Sequence, residues 1–246
     1  MNNVIELFNI SYAVGDEVII EDVSLSFPQG STTIIMGASG SGKSSLLKIS
    51  AGLYPNIKGK LLFKGEDVGQ MNEREYQIMQ RQTGFLFQDG ALWANMSLYD
   101  NLTLPILVTD PGISRKELDS IVNRTIAVMN FDEPLDQRPA MLSAGEQKIF
   151  SFLRSIVTDP EIFFMDEPTT FIDRSKVGLL KDKIKALKTE RKTIIGITHE
   201  LEFGIELADY LIILEKGRVM VHGAVADVLE SRDPTVIAFV DNFLKK

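Results

Sequence analysis

The 246-residue chain has no cysteine. This excludes disulfides, thiolate metal sites and cysteine nucleophiles together, and it fits a reducing compartment. Long apolar runs are missing too: no stretch approaches the ~20 residues that span a bilayer. The start, Met1-Asn2-Asn3-Val4-Ile5-Glu6, lacks the basic flank and apolar run of a signal peptide. The reading is a soluble, cytoplasmic chain. Positive charge is in deficit, with 26 Lys and Arg against 34 Asp and Glu and a net charge of −8. A nucleic-acid backbone requires clustered positive charge, so nucleic acid is not an expected partner. Hydrophobic residues at 44% and charged residues at 24% exclude disorder as the dominant state. The length suits one large domain with a sheet covered by helices.

Several apolar segments read as strands: Val4 to Ile10, the clusters within Val18 to Phe27, Thr32 to Met36, and Leu61 to Phe63 before a Lys64-Gly65 turn. The same signal returns at Ile162 to Met165, Thr193 to Thr198 and Tyr210 to Leu214. Short, wholly apolar strands alternating with helices indicate a largely parallel sheet buried on both faces. From Ser97 to Ile156 the pattern is mostly helical, with Pro105, Pro111, Pro134 and Pro139 expected as breaks. Ser114-Arg115-Lys116-Glu117 reads as a capping box opening a helix to about Met129. A further helix is expected over Lys176 to Lys188, with Lys181, Lys183, Lys185 and Lys188 on a solvated face.

Gly37-Ala38-Ser39-Gly40-Ser41-Gly42-Lys43-Ser44 fits the phosphate-loop pattern, between an apolar strand and a helix. Its glycines let backbone N–H groups turn inward around a phosphate, and the new helix, running on through Ser45, points its positive end at the same anion. Lys43 brings a point charge to the β and γ phosphates, and the Ser44 hydroxyl is placed for Mg²⁺. Ile162 to Met165 ends in Asp166-Glu167. Strand neighbours point to opposite sides, so Asp166 is expected to face the metal and Glu167 the attacking water. His199 follows another apolar strand, at the carboxyl end where ligands bind in open α/β sheets, and is read as a γ-phosphate contact. His222 is placed in a turn and given no role.

In this order, these residues resemble the ATP-hydrolysing subunit of an ABC transporter. Leu142-Ser143-Ala144-Gly145-Glu146 is similar to the LSGGQ signature, Gln88 after Phe85-Leu86-Phe87 to the glutamine loop, and Thr170-Phe171-Ile172-Asp173 to the SALD loop. The resemblance implies a P-loop NTPase fold: a RecA-like, largely parallel sheet, an antiparallel β subdomain and a helical signature subdomain. It implies a single ABC ATPase domain over 1–246. Residues 1–87 and 157–232 would form the ATP-binding core, 88–156 the helical subdomain and 233–246 a helical tail. ATP and Mg²⁺ are the implied cofactors. Lys43, Gln88, Glu167 and His199 would be catalytic, and Ser44, Gln88 and Asp166 would hold the metal. A head-to-tail homodimer would bury each ATP between one phosphate loop and the partner copy's Ser143 and Gly145.

A narrower resemblance runs from Phe87-Gln88-Asp89-Gly90-Ala91-Leu92-Trp93-Ala94-Asn95-Met96-Ser97 through Asp100-Asn101-Leu102 to Pro105, and again in Asp233-Pro234-Thr235-Val236-Ile237-Ala238-Phe239. It is similar to the ATPases of Mla/Mce-type phospholipid transporters. It implies a membrane permease and an MCE-domain protein as partners, at the cytoplasmic face of the inner membrane. An amino-acid importer, a lipoprotein exporter or a slow-turnover regulatory module shares the core motifs. Leu92, Trp93, Met96 and Leu98 are expected at the permease contact, and Val236, Phe239, Val240 and Phe243 on one face of the tail.

The chain also departs from the family pattern. Ala144 replaces a signature glycine, where a methyl group is expected to strain the turn, and Glu146 adds negative charge near a polyphosphate. Ile149, Thr170-Phe171 and Arg174 depart as well, so slow hydrolysis is expected. The adenine-stacking aromatic position falls on Val14, and Tyr12 is expected to point into the sheet.

Overall fold

The computed structural model describes residues 2–55, 57–231 and 236–237. The assignments made for Asp233 to Thr235 and Ala238 to Lys246, Phe239, Val240 and Phe243 among them, fall outside these residues. β1 (Asn3–Val14) and β2 (Glu17–Pro28) form a long antiparallel hairpin. With β4 (Lys58–Phe63) and β5 (Glu66–Asp67) they make a four-stranded sheet in the order β2-β1-β4-β5. The second sheet runs β10-β9-β3-β8-β7-β6. Its strands are β3 (Thr32–Met36), β6 (Thr83–Leu86), β7 (Ile162–Asp166), β8 (Thr193–Ile197), β9 (Tyr210–Glu215) and β10 (Arg218–Ala224). All pairings from β9 to β6 are parallel, and β10 closes one edge antiparallel.

Strand alternation divides the core. On β3, Ile34 and Met36 face one apolar cluster while Ile35 faces the other. On β7, Phe163 and Met165 join the first, and Ile162 and Phe164 the second. The second cluster is closed by α1 (Lys43–Ser50) and the antiparallel sheet. The first is closed by α3 (Leu98–Thr109), α4 (Arg115–Ala127), α5 (Ala144–Ile156), α6 (Arg174–Thr189) and α7 (Leu201–Leu207). Both faces of the parallel sheet are therefore buried, which is why its strands read as unbroken apolar runs.

Four expectations are corrected, and some elements were not anticipated. Pro105 lies inside α3 and does not end it. Leu98, Leu102 and Ile106 are buried on that helix, and their packing outweighs the proline's cost of about 3 kcal/mol. Several elements went unread, among them α2 (Glu73–Arg81), capped by an Asn72–Glu75 box, β6, α7 and β10. His222 sits within β10, opposite Ile212. The lysines of α6 do not all face solvent: Lys181 pairs with Glu200, Lys185 with Glu206 at 2.6 Å and Lys188 with Asp209 at 2.9 Å, tying α6 to α7 and the segment after it. Leu98 is fully buried and leaves the permease-facing set, whereas Trp93 is 59% exposed.

Candidate functional site

The phosphate loop joins β3 to α1. Gly37 has φ +155, and a Cβ there would lie 2.2 Å from the Leu214 carbonyl oxygen. Gly42, the N-cap of α1, has φ +97, and its Cβ would lie 2.8 Å from the Ile19 carbonyl oxygen. Only glycine fits at either position. The loop is thus pressed against β9 and β2, and the amino terminus of α1 opens into a cleft of about 410 Å³.

Ser39, Gly40, Gly42, Lys43, Ser44, Ser45, Gln88, Asp166, Glu167 and His199 all line this cleft. Gly37, Ala38 and Ser41 form the loop behind it. Lys43 Nζ donates to the carbonyls of Gly37 at 2.9 Å and Ala38 at 2.8 Å. Burial pulls its pKa below the usual lysine value, against the opposing fields of Glu167 and Asp166.

The carboxylates reach the cleft differently from the expected alternation. Asp166 is the last residue of β7, and Glu167 has already left the strand at φ +49. A left-handed turn, rather than strand pleating, aims the second carboxylate. Glu167 N–H donates to the Ile197 carbonyl at 3.0 Å, which pins that turn to the end of β8. His199 N–H donates to Glu167 Oε2 at 3.1 Å, and His199 Nε2 lies 3.1 Å from Oε1. Burial, the largest influence, raises the Glu167 pKa above the ordinary carboxylate value, while His199 acts to lower it. A carboxylate shifted this way holds a proton more readily than an ordinary one.

Asp166 Oδ1 is buried without a hydrogen-bond partner in the protein. Such an atom is costly unless it serves a ligand. With the Ser44 hydroxyl and the Gln88 amide on the same cleft, the donor set is all hard oxygen, which suits Mg²⁺. Among the described residues no three His, Cys, Asp or Glu side chains converge as a metal site.

Ser143 and Gly145 do not line this cleft. They stand at the start of α5, where Ser143 is the N-cap. One expectation about this motif is corrected. Ala144 is the first residue of α5 and has no positive φ, so its methyl group imposes no backbone strain. Glu146 is the third helical residue, and its carboxylate folds back to accept from Ser143 N–H at 2.9 Å and Ser143 Oγ–H at 2.7 Å. These two bonds hold its pKa below the ordinary carboxylate value. The charge thus completes a capping box. A Cβ on Gly145 would lie 2.8 Å from the Phe171 carbonyl oxygen, so the loop after the acidic strand rests on the start of α5.

Three further residues were not anticipated. Glu17 and Ile19 of β2 line the cleft beyond the phosphate loop. Lys148 of α5 is 2% exposed, and burial brings its pKa to about 8. Its signal was available as a charge on the apolar face shared with Phe152. Tyr12 stacks on Tyr54 with centroids 4.7 Å apart, as its inward direction implied, and Val14 stands 58% exposed at the hairpin end.

With this geometry in view, comparison with known proteins is informative. Residues 20–170 match the family model described as ABC transporter. The chain is 31% identical over 239 residues to the intermembrane phospholipid transport system ATP-binding protein MlaF of Haemophilus influenzae, covering 97% of this chain and 90% of that protein. It is 32% identical over 243 residues to the sulfate/thiosulfate import ATP-binding protein CysA of Acinetobacter baylyi, covering 98% of this chain and 67% of that protein. A dimeric, post-hydrolysis state of an ATP-binding cassette bound to ADP and Pi superposes with a TM-score of 0.81 at 25% identity, covering 90% of this chain and 98% of that one.

Proposed function

The chain belongs to the ABC transporter ATP-binding family and hydrolyses ATP with Mg²⁺, and from that premise we propose that it drives phospholipid transport as one half of a homodimer. Its partners in this reading are a membrane permease and an MCE-domain protein, and its place is the cytoplasmic face of the inner membrane. Among the described residues no helix is long and apolar enough to cross a membrane.

The observation that carries the phospholipid assignment is the segment from Gln88 to Asn101. Asn101 is fully buried, and its amide grips the Trp93 backbone, accepting from Trp93 N–H at 2.8 Å and donating to its carbonyl at 3.1 Å. This fixes a large exposed indole a few residues from Gln88, where a permease helix would feel the state of the nucleotide cleft. The residues that build it are those resembling the Mla/Mce-type ATPases.

At the cleft, the loop N–H groups and Lys43 bind the β and γ phosphates. Ser44, Asp166 and Gln88 would hold Mg²⁺, which would supply charge neutralisation at the phosphates. Glu167 accepts the proton of the attacking water, and His199, held by Glu167 in this structure, turns to the γ-phosphate. Ser143 and Gly145 cap the nucleotide of the second copy with the amino terminus of α5. The same reading assigns 1–87 and 157–232 to the ATP-binding core and 88–156 to the helical subdomain.

Affinity purification of the tagged chain from its native membranes in mild detergent tests the assignment. Co-purification of a multispanning permease, an MCE-domain protein and phospholipid is the expected result. Recovery with an importer permease and a soluble solute-binding protein refutes phospholipid transport and leaves the ATPase chemistry standing.

A further inference from the structure

Helix α5 carries a row of donors at Lys148, Ser151 and Arg154, spaced three residues apart and so on one face. The row faces the loop after β6. Ser151 Oγ donates to the Gly90 carbonyl at 2.6 Å, and Arg154 Nη2 donates to the same oxygen at 3.1 Å. Lys148 reaches further in. Its Nζ donates to the carbonyls of Phe87 at 2.7 Å, Gln88 at 3.0 Å and Asp166 at 3.2 Å. An ammonium has three protons, and each here meets a carbonyl on one of two separate elements. No carboxylate forms a salt bridge with it among the described residues. A methionine of similar length would fill the same space without the cost of burying a charge. The lysine's particular contribution is to join the three carbonyls.

We propose that Lys148 is a positioning residue for hydrolysis, fixing the glutamine-loop backbone and the end of the acidic strand to α5 and so setting Gln88, Asp166 and Glu167 relative to one another. The proposal rests on the roles given above to Gln88, Asp166 and Glu167. It has a second consequence. Ser143 lies five residues before Lys148, roughly 7.5 Å along the same helix axis. The helix that caps the second copy's nucleotide is therefore tied by one side chain to its own hydrolytic centre. Displacement of α5 moves both.

The test uses the full chain with Lys148→Met, Lys148→Gln and Lys148→Arg, measuring kcat and KM for Mg-ATP and the Kd of a fluorescent ATP analogue without Mg²⁺. A misplacement of about 1 Å at a reacting centre costs on the order of 10²-fold. Lys148→Met is therefore expected to lose kcat on the order of 10²-fold while KM and Kd stay within about threefold. Lys148→Arg is expected to recover most of the loss, and Lys148→Gln to fall between. If Lys148→Met does not fold, Lys148→Gln and Lys148→Arg carry the same comparison. A kcat for the folded variants within about threefold of the parent overturns the proposal. So does a parallel loss of kcat and Kd that Lys148→Arg fails to recover, because that marks a scaffold role only. Glu167→Gln, run alongside, separates the two readings: full activity in that variant refutes the site roles themselves, whatever Lys148 does.

Discussion

Gly84 of β6 is where the glutamine loop's strand meets α5 most closely, and substitution by alanine tests that contact. A Cβ on Gly84 would lie 2.1 Å from the Ser155 carbonyl oxygen and 2.8 Å from Pro160 Cγ. Carbon–oxygen contacts settle near about 3.3 Å, so strand and helix must part by roughly 1 Å. The blocking atom belongs to the backbone, and no rotamer change relieves it. α5 buries Phe150, Phe152 and Leu153 completely. A gap of about 0.5–1 Å forfeits a quarter to a half of each contact's attraction. Overpacking usually costs about 1–3 kcal/mol, and the rigidity of this contact puts Gly84→Ala near the upper end. At about 2–4 °C per kcal/mol for a domain of this size, the thermal midpoint should fall by roughly 6–12 °C.

Gly178 in α6 is the matched control, since its Cβ would meet nothing within 4 Å. There alanine replaces a helix glycine, with an expected gain of about 0.5–1 kcal/mol and a rise of roughly 1–4 °C. Thermal unfolding followed by far-ultraviolet circular dichroism measures both variants. A Gly84→Ala midpoint no lower than that of the parent would refute the close approach of β6 and α5.

Other outcomes follow from the same geometry. Burial raises the Glu167 pKa, and below that pKa the protonated carboxyl cannot accept the water's proton, so kcat must fall as pH drops through a value above 4.5. A pH–kcat profile shows this limb, Glu167→Gln should abolish it, and a midpoint at or below 4.5 would count against Glu167 as the base. Asn101→Ala removes the partner of the part-buried Trp93 N–H and should cost about 1–2 kcal/mol by denaturant titration, with a changed emission from Trp93, the single tryptophan. Ser143→Ala removes the N-cap of α5 and should cost about 1 kcal/mol, or roughly 2–4 °C in thermal midpoint; an unchanged midpoint would contradict the capping box.

How legible each element was depended on how its signal is encoded. Thr32–Met36 was read at its observed bounds, and Ile162 to Met165 and Thr193 to Thr198 within one residue, because strands buried on both faces are unbroken apolar runs. β6 escaped because Thr83-Gly84-Phe85-Leu86 is short and holds a glycine, and that glycine is what admits α5. α2 escaped because its residues are mostly polar, although Asn72 and Glu75 form the same box that revealed the helix at Ser114. Pro105 was read as a stop because local propensity argues so, whereas long-range packing decides.

The site divides in the same way. The phosphate loop, Asp166, Glu167 and His199 were legible from side chains placed at a loop or at strand ends, Gln88 only from the resemblance to the ABC glutamine loop, and the structure gathers them in one cleft. What holds them was not. The grip of α5 on Phe87, Gln88, Gly90 and Asp166 is made to backbone carbonyls. Every residue has such a carbonyl, so an acceptor of this kind leaves no mark on the sequence. The donor does leave one, as a lysine where the apolar face of a helix calls for a hydrophobic residue. A charge on a buried face needs partners, and where no carboxylate forms an ion pair with it the hydrogen-bond partners are backbone. On that argument Lys148 marks the place where the catalytic cleft is fastened to the helix that carries Ser143.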